Sequence, residues 1–164
     1  MFLTALLVVL HVFAVGWFVA GVVGRNVSSA FARRATTIEA AAGLLRATEY
    51  FDARMVIPGS GLVLILGLAA AWAADWPILG FIQGADVNWL LLSLVLYVAL
   101  IPFVPLVVAP RRQARKVAFE KAVAAKTMTP ELRAALDDKG VAAYRSAELI
   151  VIAIIAVLMV AKPF

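Results

Sequence analysis

A chain of 164 residues that is 65% hydrophobic and 15% charged, with a mean hydropathy of +1.00, carries more apolar surface than one soluble core can bury. Its net charge of +5 flanks lipid-length hydrophobic runs and forms no aromatic-laced groove, which argues for loops facing anionic lipid and against a nucleic-acid partner. The absence of cysteine removes disulfides, thiol nucleophiles and thiolate metal sites.

The first span begins directly after the initiator. Phe2 to Gly24 carries no formal charge beyond His11 and is long enough to cross about 30 Å of hydrocarbon as a helix. Met1-Phe2-Leu3-Thr4 supplies no basic region of the kind that precedes a cleaved signal, so the segment is expected to be retained. Residues 25–54 follow, with Phe31, Ala35, Ile38, Ala42, Leu45 and Thr48 at spacings of three and four that give a helix one apolar face. The simplest reading is a solvated helical loop packing on the protein's own cytoplasmic end; the alternatives are the headgroup plane, an extension of the first span, or a partner.

Met55 to Ala74 is the second span, opening on Pro58-Gly59-Ser60-Gly61. Proline is tolerated in a first helical turn and small residues admit a neighbouring backbone, so a tightly packed helix start is expected. A phosphate-binding loop would need a preceding strand and a suitable Lys, and the sequence offers neither. Asp75 to Asn88 lacks Lys and Arg and is flanked by Trp72, Trp76 and Trp89, an interfacial aromatic belt. Asn88 to Ala109 is the third span, with Pro102 and Pro105 expected to kink it.

The basic collar Pro110-Arg111-Arg112-Gln113-Ala114-Arg115-Lys116 is a stop-transfer signature and fixes the orientation. Further on, Thr129-Pro130-Glu131 signals a helix start and Gly140 is placed to end that helix. The last span needs to begin near Val141 to be long enough, bringing Arg145 and Glu148 to the interface, with Lys162 to Phe164 emerging outside. The two long loops hold 14 Lys and Arg and the 75–88 loop none. The positive-inside rule therefore puts both termini outside and both long loops in the cytoplasm. The expected architecture is all-α, a polytopic four-helix transmembrane bundle with helical cytoplasmic loops, built as one domain over 1–164 with spans at about 2–24, 55–74, 88–109 and 141–161.

Three features could carry function. His11, the single histidine, could ligate haem or metal or relay protons at membrane depth. It has no second His, no Cys and no carboxylate clearly at its level, so structural hydrogen bonding is the simpler reading and haem the alternative. Gly16, Ala20 and Gly24 form a small-residue stripe that suits close helix contact, with packing inside the monomer the simpler reading and an external partner the alternative; Gly59 and Gly61 in the second span likewise admit a close neighbour. Glu148 is costly in a span unless paired, and Arg145 three residues earlier is an i,i+3 partner. No catalytic constellation, metal site or cofactor is expected.

The stretches Leu10 to Trp17, Val56-Ile57-Pro58-Gly59, Ala109-Pro110-Arg111-Arg112 and Leu158 to Pro163 together resemble a bacterial family of predicted four-span integral membrane proteins of unknown function. The resemblance covers the whole chain and implies architecture rather than activity. The expectation for function is a non-catalytic accessory subunit of a larger inner-membrane complex. Ala-, Val- and Arg-rich usage points to a GC-rich bacterium such as an actinobacterium. There a lipid importer of the mammalian-cell-entry class, with its permease and ATPase, is placed ahead of a respiratory complex. The rival is a small haem-binding or transport protein using His11.

Overall fold

Between Phe2 and Arg34 no proline interrupts the chain, and these residues form one helix, α1 (Phe2–Arg34). The computed structural model describes residues 1–163; Phe164, the end of the expected outer tail, lies outside them. At 33 residues and about 1.5 Å per residue, α1 is about 50 Å long, far more than the ~30 Å of hydrocarbon. The first ten residues of the 25–54 segment therefore extend the first span. The helix stops where Ala35 turns extended, at φ −62° and ψ 134°.

The chain then returns as α2 (Ile38–Phe51), a π-helical turn (Asp52–Val56) and α3 (Ile57–Ala73). Proline explains the wide turn. Pro58 has no N–H to give the Arg54 carbonyl, and its ring crowds that carbonyl's usual place in the helix. The backbone widens by one residue, so that Ile57 N–H donates to the Asp52 carbonyl. The Arg54 carbonyl is met instead by the Trp17 indole, which donates at 3.4 Å.

Inside the 25–54 segment the buried face differs in part from the expected one. Ala35, Ile38, Leu45 and Thr48 are buried as their spacing predicts, but Ala41 takes the place of Ala42 and Phe31 is 56% exposed. The reason is the break at 35–37: Phe31 belongs to α1, so its helical phase is not continuous with that of α2.

By internal contacts the chain divides into two units, Met1–Ala35 with Glu39–Ile78, and Thr36–Ile38 with the chain from Leu79 onward. In the first, α1 and α3 run antiparallel, since Thr4 Oγ1 near the start of α1 donates to the Ala73 carbonyl at the end of α3, 2.9 Å away. Further along the same seam, His11 lies against Gly67, Phe18 against Gly59 and Gly21 against Met55.

The second unit begins with the 75–88 connection's later part and α4 (Trp89–Leu100). Pro102 and Pro105 interrupt the span as expected: α4 ends, a π-helical turn (Val104–Val108) follows, and α5 (Ala109–Ala124) resumes through the basic collar. Then comes α6 (Pro130–Leu136), whose Leu132 N–H donates to Thr129 Oγ1 at 3.3 Å, the expected N-cap with proline in the first turn. Gly140 does not end this helix. Asp138 caps the next one by accepting from Val141 N–H at 3.0 Å, so α7 (Lys139–Ala161) starts two residues before the expected Val141 and holds Gly140 in its first turn. A side-chain cap on Asp138 satisfies a helix donor directly, and it outweighs the tendency of Gly140 to terminate. α7 packs on α4 in the opposite direction, with Lys162 Nζ 5.6 Å from the Trp89 ring centroid. Of the expected belt, Trp72 is exposed, but Trp89 is buried, because it is the surface on which Lys162 and the end of α7 rest.

Among the described residues every regular element is helical, and four helical runs are long and apolar enough to cross a membrane: Phe2–Arg34, Ile38–Ala73, Trp89–Ala124 and Pro130–Ala161.

Candidate functional site

The most strongly built polar feature lies in the first unit. Arg25 Nη1 donates to Asp52 Oδ1 at 3.2 Å, with side chains only 7% and 6% exposed. Both charges are carried by elements whose geometry is fixed independently. Arg25 sits about 35 Å along α1 from Phe2, on the same face as Val22, Ser29 and Ala32, all buried. Asp52 is the first residue of the π-helical turn. Asp52, at the start of the wide turn, and Gly59, just past it, both face α1.

Close backbone approach surrounds the pair. A Cβ at Gly21 would lie 2.5 Å from Met55 Cβ and 3.2 Å from Val56 N, and one at Gly24 would lie 2.6 Å from the Phe51 ring. Thr48, one turn before Asp52 and fully buried, satisfies its hydroxyl internally by donating to the Leu44 carbonyl at 2.9 Å. The result is a clamp at the end of the hairpin that bears Arg33, Arg34, Arg46 and Arg54. A buried pair of this kind is weak as a source of net stability but strongly selects one register, because either charge left alone would be desolvated without compensation.

The second unit holds a looser counterpart. Arg111 Nε lies 3.2 Å from Asp138 Oδ1, while Arg111 Nη1 donates to the Val107 carbonyl at 3.1 Å. Asp138 thus caps α7 and ties it to α5 and the π-helical turn before it. Gly140 leaves room for the arrangement, since a Cβ there would meet the Arg111 guanidinium at 2.8 Å.

The residues singled out from sequence fall into two groups. Gly24 and Gly59 are consumed by contacts with Phe51 and Phe18, whereas Gly16 and Gly61 have nothing within 4 Å of an added Cβ; Ala20 is exposed. His11 is half-buried against Gly67, with its Nδ1 enclosed and making no hydrogen bond. Glu148 is buried on α7 and Arg145 half-buried, and each is engaged by a polar or electrostatic contact. Glu148→Gln is expected to lower stability in detergent by on the order of 1–3 kcal/mol while leaving association with other proteins intact, as read by thermal unfolding and co-purification. Among the described residues no three His, Asp or Glu side chains converge as a metal site.

From sequence, Arg25 is counted only among the basic residues of the long loops, and nothing pairs it with Asp52. The signal was present: in an antiparallel hairpin, a charge just past the first span and one just before the second fall at the same depth.

No curated protein and no solved structure matches the chain. A family model does, over residues 5–163, and it carries the description of a predicted integral membrane protein (DUF2269). Since that match takes in all four apolar helical runs, the buried clamp and the basic collar, the chain belongs to this family of integral membrane proteins.

Proposed function

We propose that this protein is a non-catalytic accessory subunit of a larger bacterial inner-membrane complex, with both termini outside and its basic loops in the cytoplasm. The observation that carries the reading is a single exposed line along α1. Gly16, Ala20, Val27 and Phe31 are all exposed and fall within about 60° of one another around the helix. The face of α1 that packs within the hairpin is a different one, bearing Ala14, Phe18, Val22 and Arg25.

Gly16 and Ala20 lie where lipid could cover them. Val27 and Phe31 do not: counted from Phe2 they sit about 38 and 44 Å along the helix, beyond ~30 Å of hydrocarbon. Apolar side chains exposed past the bilayer core, in line with small residues inside it, suit one partner helix that continues from membrane to cytoplasm. The Arg25–Asp52 clamp ties α1 to the returning chain just before Val27. The orientation rests on the basic residues: 14 of 15 Lys and Arg lie in the two long loops.

The test is mild-detergent purification of the chromosomally tagged protein, followed by native mass measurement and identification of what travels with it. A stoichiometric permease and ATPase would name a lipid importer of the mammalian-cell-entry class; respiratory subunits would name the other machine. Gly16→Leu with Ala20→Leu is expected to reduce partner recovery severalfold without unfolding the hairpin, because nothing occupies the space at Gly16. Recovery as a lone monomer or homodimer across several detergents overturns the reading. A visible absorption band lost in His11→Ala would then favour haem.

A further inference from the structure

The connection between α3 and α4 has no Lys or Arg, yet it exposes two large apolar side chains. Phe81 and Ile82, on a single 3₁₀ turn (Gly80–Gln83), are 68% and 64% exposed. The turn is not slack. Phe81 N–H donates to Asn88 Oδ1 at 2.8 Å, Asn88 Nδ2 donates to the Asp86 carbonyl at 3.0 Å, and Leu79 N–H donates to Gln83 Oε1 at 2.9 Å. The N–H groups of Ile82, Gly84 and Ala85 donate to the carbonyls of Leu79, Phe81 and Gly80 at 3.1, 3.0 and 3.2 Å. Gly80 and Gly84 take left-handed conformations, φ 52° and 74°, and a Cβ on Gly80 would collide with Asn88 Oδ1. The backbone donors around the two apolar side chains are thus satisfied inside the turn. That is the condition for placing irregular backbone where water is scarce.

We infer that Phe81 and Ile82 form a wedge seated in the lipid interface, at the boundary between headgroups and acyl chains. Its depth follows from its tether. Asn88 is the N-cap residue of α4, and its side chain holds the Phe81 N–H, so the turn is fixed one hydrogen bond from the level at which the third span begins. Trp89 and the cation of Lys162 stacked on it mark that level, where aromatic rings and long cationic side chains gather. At that level the surrounding medium is lipid, which asks only for apolar area and a self-satisfied backbone. The inference depends on the chain spanning a membrane and not on its being a subunit of a larger machine.

The cysteine-free sequence allows a direct test on the full chain, in vesicles of phosphatidylethanolamine and phosphatidylglycerol. Nitroxides are attached singly to Phe81→Cys, Ile82→Cys and, for comparison, Asp86→Cys, and their collisions with oxygen and with a water-soluble nickel chelate are measured. Expected at 81 and 82 is a severalfold preference for oxygen relative to 86 and a depth of about 5–10 Å below the phosphates. Labels at 81 and 82 that meet the nickel chelate as freely as the label at 86 would overturn the wedge. So would labels shielded from both reagents, which would mean a protein covers the turn.

Discussion

Asp52→Asn is expected to destabilise the first hairpin by about 3–5 kcal/mol, because it leaves the Arg25 charge buried without its counter-ion. The 3.2 Å contact and the 7% and 6% side-chain exposures decide the size of the effect. An exposed pair is screened by water and contributes at most about 1 kcal/mol; here neither partner can recover its hydration without separating α1 from the π-helical turn. The paired replacement Arg25→Leu with Asp52→Leu removes both charges together and is expected to come out near neutral, or up to about 4 kcal/mol more stable, since the desolvation cost disappears along with the attraction. Reversible unfolding in mixed detergent micelles, followed by circular dichroism, measures both. Single and double variants of equal stability would mean that the pair is not desolvated as the structure places it. The contrast between them also separates stability from register: a double variant that is stable but no longer brings down the partner proposed above would identify the clamp as a device for fixing how α1 is presented.

What could be read from the sequence follows the range of the interaction. The spans are legible because hydropathy over some twenty residues is a local sum, and the starts of α4's interruption and of α6 because Pro102, Pro105 and Thr129-Pro130 act on their immediate neighbours. The phase of 25–54 is only partly legible: three- and four-residue spacing finds Ile38, Leu45 and Thr48, but the break at 35–37 that detaches Phe31 from that face has no proline or glycine to announce it. Gly140 shows two local signals in competition, and the Asp138 cap prevails. The Arg25–Asp52 clamp is of another kind. It depends on two helices meeting antiparallel, which is not written at either residue; only the matching depths of the two charges are. The small-residue stripe is illegible for the same reason: whether Gly16 or Gly21 faces the neighbouring helix is set by rotation of α1, which the hairpin contacts fix and the composition of the stripe does not.

That rotation leads to the second large effect, at Gly21. Gly21→Leu is expected to force the hairpin open or cost about 1–3 kcal/mol in repacking. A Cβ there meets Met55 Cβ at 2.5 Å and the Val56 backbone nitrogen at 3.2 Å, and backbone held in a π-helical turn has no rotamer to yield. Gly24 is more forgiving, since its obstacle is the Phe51 ring, which can swing aside. A loss of this size is serious inside a bilayer, where helices associate by close packing without a hydrophobic driving force between them. Thr4 and Ala73, joined by a 2.9 Å hydrogen bond, provide the readout. With cysteines at both positions in the otherwise cysteine-free chain, a short bis-maleimide should link the far end of the hairpin efficiently in the parent and in Gly16→Leu, and poorly in Gly21→Leu. Equal linking in all three would show that α1 meets α3 through some face other than that of Gly21. It would also remove the reason for regarding Gly16 and Ala20 as the side left open.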